Sequence, residues 1–176
     1  PADFMERLSR TMMNARLLSI FEKSHQVDLS IGFKDIGRVR ANVFYQRGSI
    51  GMVLRVINSN IPAPEELFLP EIVTGFTKLE RGLVLLTGAT GSGKSTTLAS
   101  LINTVNNLRS EHIITIEDPI EFLFSEKRSI ITQREIGIDT NTFAEAMRAD
   151  LRDDPDVILL GEMRDPETIE TAMTAA

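Results

Sequence analysis

The sequence predicts an α/β protein in two parts, a small antiparallel sheet with helices followed by a parallel sheet covered by helices. Three observations lead to this fold class. Apolar residues recur at helical spacing over 3–24 and then at every second position. Later in the chain, helical and strand patterns alternate, as they do in parallel sheets with crossover helices. A stretch with two prolines and polar residues, 58–64, separates the patterns and predicts a linker between two domains, 1–57 and 65–176.

The first domain begins with helix and continues with strands. Residues 3–24 are expected to form one long helix or two short helices broken near Asn14. Alternating apolar and polar residues predict three strands, and glycine-containing segments predict the turns that join them into an antiparallel sheet. The strands are expected at 27–31, 38–43 and 51–57, and the turns at 32–35 and 47–49.

The second domain alternates helices with apolar strands. A capping-box pattern at Thr142 and Glu145 opens one of the helices, with Phe143, Met147 and Leu151 expected to face inward. The expected helices are 64–78, 94–107, 142–152 and one that begins near Pro166, and the expected strands are 83–87, 113–117, 129–134 and 156–160.

Residues 83–96 pass from an apolar run into a glycine-rich turn whose spacing is that of a phosphate-binding loop (P-loop). In such a loop backbone N–H groups surround a phosphate chain, Lys94 reaches the outer phosphates and the Ser95 hydroxyl coordinates Mg²⁺. Gly91 and Gly93 fit positions where a Cβ would block the backbone. A helix that starts near Lys94 directs its positive end at the anion. The expected nucleotide-binding residues are Gly88, Ala89, Thr90, Gly91, Ser92, Gly93, Lys94, Ser95 and Thr96.

The glycine-rich segment has two alternatives to a P-loop. A glycine-rich turn that binds nothing is the first. A dinucleotide-binding fingerprint is the second, and the sequence fails it because Thr96 stands where that fingerprint needs a third small residue.

Carboxylates follow two of the apolar strands. Glu121 comes shortly after strand 113–117, and Gly161 and Glu162 follow strand 156–160. The carboxyl ends of parallel strands form the edge where ligands bind, and the P-loop lies on the same edge. A carboxylate there can polarise an attacking water or hold Mg²⁺; the alternative is that these acids simply begin the next loop or helix. Gly161 is irregular, since a Walker B strand commonly ends in Asp.

The composition restricts the classes of function. The chain is 42% hydrophobic and 25% charged, as in folded globular proteins, and its formal net charge of −6 opposes non-specific binding to nucleic acid or anionic membranes. We therefore expect no nucleic-acid partner. The absence of cysteine excludes disulfides and thiolate metal sites within this sequence and fits a reducing cytosol. No apolar run approaches the ~20 residues of a membrane span, so no direct membrane insertion is expected.

Four motifs follow one another along the chain. They are the P-loop at 88–96, residues 115–121, Gln133-Arg134-Glu135, and residues 154–165. In this order they resemble the motifs of the secretion and type IV pilus ATPases, with 115–121 similar to the Asp box and 154–165 similar to an atypical Walker B. The form Gly161-Glu162-Met163-Arg164 is similar to the retraction ATPases of twitching motility. Pilus-assembly and type II secretion ATPases remain alternatives, and the choice between two retraction paralogues stays open.

The resemblance implies a fold and an assembly. Residues 1–57 would form a partial PAS-like α+β domain and residues 65–176 an incomplete RecA-like P-loop core, in a homohexameric ring. The ring would be cytoplasmic, peripheral at the inner-membrane base of the pilus, with an inner-membrane platform protein as partner. The histidine box of the family is expected after Ala176, and the start of the N-terminal domain is expected before Pro1, so the sequence is expected to be a piece cut at both ends.

The resemblance also implies roles in ATP hydrolysis with Mg²⁺. Lys94 and Ser95 would bind the β- and γ-phosphates and the metal, Glu162 would be the general base, and Glu121 would assist with metal or water. Asp150 departs from the family in replacing a small residue. A nucleotide-binding regulator without turnover is the rival class, which a measurement of phosphate release would separate.

Arginines of the first domain are the remaining candidates. In the family, arginines on these strands reach nucleotide in the ring, and Arg38, Arg40 and Arg55 match those strands. By alternation Arg38 and Arg40 share one strand face, so a solvated charged face is the alternative.

Overall fold

The computed structural model describes residues 2–33 and 37–176. The chain divides into two compact units, Pro1–Asn58 and Ser59–Ala176. Across the described residues, no helix has both the length and the apolar character to cross a bilayer.

Two helices open the first unit, α1 over Ala2–Met12 and α2 over Ala15–Ser24. The break between them lies at Asn14, whose backbone is extended and whose side chain accepts a hydrogen bond from the Leu17 N–H at 2.9 Å. Asn14 is thus the N-cap of α2. Of the two predicted arrangements, the pair of short helices is confirmed.

An antiparallel sheet completes this unit, in the order β1-β2-β3. Its hairpin turn at Arg47 and Gly48 has positive φ at both residues, as a two-residue type I′ turn requires. The predicted turn at 32–35 is wrong at Gly32 and Phe33, which extend the first strand, and its Lys34 and Asp35 lie outside the described residues. The strands are β1 at Gln26–Phe33, β2 at Gly37–Gln46 and β3 at Ser49–Val56.

The second unit contains a parallel sheet in the order β5-β4-β6. Residues Ile113 to Ile116 of the middle strand are fully buried. The three predicted strands that make up this sheet are confirmed. The strands are β4 at His112–Glu117, β5 at Ile130–Glu135 and β6 at Val157–Leu160, and the helices are α3 at Glu71–Gly75, α4 at Lys94–Leu108, α5 at Phe143–Asp150 and α6 at Pro166–Ala175.

Helices cover both faces of β4. Ile114 and Ile116 pack on one face with Met147 of α5 and Ala172 of α6. Ile113 points to the other face, where residues of α4 and β6 pack. Since α4 begins at the end of the P-loop, this packing anchors the loop to the sheet.

The predicted strand at 83–87 does not form. These residues pair with no strand among those described, and Leu83 to Leu86 are between 39% and 60% exposed. A cavity of about 1030 Å³ is lined by this segment, α4 and β6. An apolar run specifies a strand only where a neighbouring backbone supplies hydrogen bonds, and no described strand does so here.

The predicted helix at 64–78 is also wrong in extent. Only α3 and a 3₁₀ turn at Phe76–Lys78 form in that stretch. Pro70 disfavours helical backbone at the residue before it, and Phe68 has a positive φ of 53°. The helix therefore starts after Pro70.

Helix α5 agrees with its predicted start but ends earlier. The Thr142 hydroxyl accepts a hydrogen bond from the Glu145 N–H at 3.1 Å, so the predicted cap is confirmed. Met147 is buried and Phe143 packs against the same core. Leu151 is exposed rather than inward, because α5 ends at Asp150 and the following residue leaves the buried face.

Candidate functional site

The P-loop has the backbone that its glycines predict. Gly91 and Gly93 have φ of 78° and 90°, and a Cβ at Gly88 would lie 2.8 Å from the Ser92 hydroxyl oxygen. Residues with a side chain rarely adopt such φ values. Helix α4 begins at Lys94, directly after Gly93, so its N-terminal N–H groups open onto the loop.

Lys94 closes the loop on itself. Its ammonium Nζ donates hydrogen bonds to the backbone carbonyls of Gly88 and Ala89, each at 2.9 Å. The charge is therefore held inside the curve of the loop, where an anion bound to the loop N–H groups would meet it. Ser95, the next residue, lines the same cavity.

The predicted acids line the cavity that Lys94 lines. Glu121 lies in the loop after β4, and Glu162 lies two residues beyond the end of β6. The Glu162 carboxylate forms an ion pair with Arg164 at 2.9 Å, and the Arg164 side chain is 83% exposed. Such an exposed pair contributes only ~0–1 kcal/mol, so it leaves Glu162 available to a substrate.

Gly161 is explained by a close approach of two strand ends. Its N–H donates to the Ile116 carbonyl at 2.8 Å, and a Cβ on Gly161 would lie 3.3 Å from the Glu117 Cα. An aspartate at this position would press on the backbone of β4. The glycine that departs from the usual Walker B ending therefore permits Glu162 to follow β6 at this short distance from β4.

Glu117 is a site residue that the sequence did not single out. It lines the cavity, and its Oε1 accepts hydrogen bonds from the Thr115 hydroxyl at 2.7 Å and from Gln133 Nε2 at 3.3 Å. Burial raises the pKa of Glu117, and these hydrogen bonds offset part of the rise. Its position at the carboxyl end of a buried strand was the available signal.

Arg38, Arg40 and Arg55 belong to the first unit and share one face of its sheet. Arg40 lies directly opposite Arg55 in the β2–β3 register, and strand alternation places Arg38 on the same face. Arg38 Nε donates to the Ser30 hydroxyl at 2.5 Å, and Arg40 lies 3.6 Å from Asp28. The prediction that Arg38 and Arg40 share a face is confirmed.

Asp150 forms a buried ion pair with Arg134 of the Gln133-Arg134-Glu135 motif. Asp150 is 2% exposed and its Oδ2 has no hydrogen-bond partner among the described residues. Asp150, which was expected to replace a small residue of the family, thus ties α5 to β5.

No cluster of three or more His, Cys, Asp or Glu side chains in the described parts of the chain could hold a metal by itself. The predicted Mg²⁺ ligands, Ser95 and Glu121, are hard oxygen donors that line the same cavity. Mg²⁺ is commonly bound by one or two such side chains together with substrate phosphates. The donor set therefore fits a nucleotide-bound Mg²⁺.

Comparison with known proteins shows that the chain is similar to pilus ATPases. Residues 67–176 match the family of type II/IV secretion system proteins. Two Pseudomonas aeruginosa proteins, type IV pilus ATPase PilU and type IV pilus retraction ATPase PilT, are each 47% identical over 165 residues, which is 94% of this chain and 43% and 48% of the relatives. The chain thus spans about half the length of these relatives.

A solved structure supports the same grouping. The crystal structure of the pilus retraction motor PilT with bound ADP superposes with a TM-score of 0.95 at 52% identity, covering 100% of this chain and 51% of that one. The α/β fold is therefore shared with this motor.

Proposed function

The chain belongs to the type II/IV secretion system protein family, and we propose that it is part of an ATP-hydrolysing motor that powers type IV pilus retraction. One observation carries the proposal. Lys94, held inside the P-loop, lines one cavity together with the carboxylates of Glu121 and Glu162. The similarity to PilT supports retraction as the direction of work.

ATP would bind through backbone groups and through side chains of the P-loop. The N–H groups of the P-loop and of the first turn of α4 would donate to the phosphates. Lys94 would exchange its two carbonyl contacts for phosphate oxygens. Ser95 and Glu121 would hold Mg²⁺, which neutralises charge on the phosphates when bound.

Hydrolysis would then depend on Glu162. Its carboxylate would accept a proton from the water that attacks the γ-phosphorus, as the bond from that phosphorus to the bridging oxygen breaks. Glu121 would orient the water or the metal ligand set. Glu117 lies between Thr115 and Gln133 and supports the loop that carries Glu121.

The assembly is part of the same proposal. Residues 65–176 would be the first part of a RecA-like core and residues 1–57 part of a PAS-like domain, joined by a linker at 58–64 in a homohexameric ring. Arg38, Arg40 and Arg55 would act on the nucleotide of a neighbouring subunit. The ring would be cytoplasmic, at the inner-membrane base of the pilus, and would act on a platform protein there.

Phosphate release by the whole protein tests this function, with Lys94→Ala and Glu162→Gln as variants. We expect the wild type to release phosphate, Lys94→Ala to lose ATP affinity in a calorimetric titration, and Glu162→Gln to bind ATP with little turnover. Twitching of cells that carry each variant would report retraction. Binding without phosphate release by the wild type would favour a regulator, and turnover with pilus assembly in place of retraction would favour an assembly ATPase.

A further inference from the structure

The amide of Gln133 makes three hydrogen bonds across the loop that follows β4. Gln133 lies on β5 opposite Thr115 of β4. Its Nε2 donates to the Phe122 carbonyl at 3.0 Å and to Glu117 Oε1 at 3.3 Å, while its Oε1 accepts from the Phe124 N–H at 2.9 Å. Two acceptors on one side and a donor on the other fix the orientation of the amide, since the flipped group would satisfy none of them.

These contacts bracket Glu121. On one side of Glu121, Gln133 donates to the carbonyl of the next residue, Phe122. One residue earlier, the Ile120 N–H donates to Glu135 Oε2 at 3.3 Å. The backbone on both sides of Glu121 is therefore attached to side chains of β5.

We propose that Gln133 is a positioning residue that sets the place of Glu121 by joining the loop 118–124 to the Glu117 carboxylate. This inference rests on the proposed ATP hydrolysis for its effect on turnover, and on the loop geometry alone for its effect on structure. Gln133 does not line the cavity, so it acts through the loop and through Glu117 rather than on the substrate.

A different side chain holds the far end of the segment between β4 and β5. Asn106 of α4 donates from Nδ2 to the Ser125 carbonyl at 2.8 Å, and its Oδ1 accepts from the Lys127 N–H at 3.1 Å. Asn106 thus fixes 125–127, beyond the acids. Gln133 is the described side chain whose amide reaches both Glu117 and the residues next to Glu121.

Hydrogen–deuterium exchange of the whole protein tests the loop directly. In Gln133→Ala, amides of 118–124 should exchange at least about five- to tenfold faster, the change expected for losing one of the three hydrogen bonds, while the rest of the second unit keeps its wild-type protection. Asn107→Ala is the matched control, because Asn107 is an exposed amide whose one side-chain hydrogen bond to a described residue stays within α4, to the Asn103 carbonyl. If the alanine variant does not fold, Gln133→Asn retains the amide but shortens its reach.

Steady-state kinetics of the same variants test the effect on Glu121. We expect kcat of Gln133→Ala to fall about 10- to 100-fold, the range for residues that orient a functional group, with KM for ATP within about twofold of wild type because the P-loop is untouched. Gln133→Glu should be worse, since it removes both donors and adds a carboxylate beside Glu117. Combining it with Glu117→Gln restores a donor between the two side chains and should recover part of kcat.

The outcomes separate the inference from the proposed function. A wild type without phosphate release refutes ATP hydrolysis, while the exchange data still decide whether Gln133 holds the loop. If the wild type turns over and Gln133→Ala shows wild-type exchange in 118–124 or wild-type kcat, Gln133 does not position Glu121. Absence of recovery in the double variant also overturns the coupling to Glu117.

Discussion

Gly161 lies against the backbone of Glu117, so closely that a Cβ on the glycine would come within 3.3 Å of the Glu117 Cα. The contact joins the end of β6 to the end of β4, and the Gly161 N–H bonds to Ile116 beside it. The two strands that carry the acids of the site are therefore in contact through a residue without a side chain. Any added atom at Gly161 must separate them.

Gly161→Ala is predicted to destabilise the protein by about 1–3 kcal/mol, because the backbone on which the Cβ presses cannot rotate away as a side chain can. Chemical denaturation of both proteins measures this difference. Gly75→Ala is the control, since Gly75 is helical and a Cβ there meets no atom within 4 Å. That change should be neutral or stabilising by about 0.4–1 kcal/mol, and equal losses at the two positions would contradict the contact argument.

The pH dependence of stability should identify the burial of Glu117. Its pKa is raised in the folded protein by burial, so the charged form is disfavoured there, and the resulting destabilisation is present at pH above the folded pKa. It disappears as the pH falls below the ordinary value of 4.5. We predict that Glu117→Gln gains thermal stability relative to wild type at pH 8 and loses this advantage toward pH 4. A constant difference across this range would show that burial of the charge is not the cause.

Thr115→Val gives a second test of how the charge on Glu117 affects the pH dependence of stability. It removes the hydroxyl that donates to Glu117 at 2.7 Å, a contact that lowers the pKa of Glu117. The folded carboxylate then loses a stabilising donor, so the loss of stability should be larger at pH 8 than near pH 4. In combination with Glu117→Gln, this pH dependence should vanish.

The P-loop was predictable because its geometry is local. Glycine spacing and the helix start at Lys94 determine it, and the structure agrees at each of these positions. Whether residues 83–87 form a strand could not be predicted in the same way, because a parallel strand depends on neighbours distant in sequence. The apolar run that suggests it gives no information about whether such a neighbour is present.

The residues that hold the site in place were harder to predict from the sequence than its carboxylates. Glu121 and Glu162 follow apolar strands, a pattern that a single sequence shows directly. Gln133 acts through a loop that folds back from another strand, and its three partners become adjacent only when the β4–β5 register is known. Asp150 was expected to depart from the family, but its pairing with Arg134 could be known only once the structure had brought α5 and β5 together.

Asp150→Ala is predicted to cost about 3 kcal/mol of stability, since it removes the ion-pair partner of the largely buried Arg134 guanidinium, which keeps only its weak contact to the Asp139 carbonyl among the described residues. Adding Arg134→Met should recover a large part of that loss. Denaturant titrations of the two single variants and the double variant measure the coupling. The exposed pair of Arg148 and Glu167 is the control, and Arg148→Ala should cost less than about 1 kcal/mol. Losses of similar size at Asp150 and Arg148 would show that burial adds nothing to the first pair.

Arg55 lies opposite Arg40 on the charged face of the first sheet. Arg40 has Asp28 within 3.6 Å and Arg38 bonds to Ser30, whereas Arg55 has no ion pair with a described residue. Two like charges directly opposite destabilise a sheet, so an anion bound between subunits would relieve this repulsion. Of the three arginines, we therefore expect Arg55 to contribute most to hydrolysis on a neighbouring subunit.

A positive charge supplied to the transferring phosphoryl group from another subunit contributes about 10³–10⁵ in rate, whereas a solvated arginine contributes almost nothing. Arg55→Ala in the full ring should accordingly retain its fold and lose most turnover, while Arg16→Ala on the exposed side of α2 should not change it. Mixing Arg55→Ala subunits with Glu162→Gln subunits should restore part of the activity, because some interfaces then pair an intact arginine with an intact carboxylate. Lost activity without recovery on mixing would place the arginine's action within its own subunit. Wild-type turnover in Arg55→Ala, Arg40→Ala and Arg38→Ala would identify the face as an ordinary solvated one.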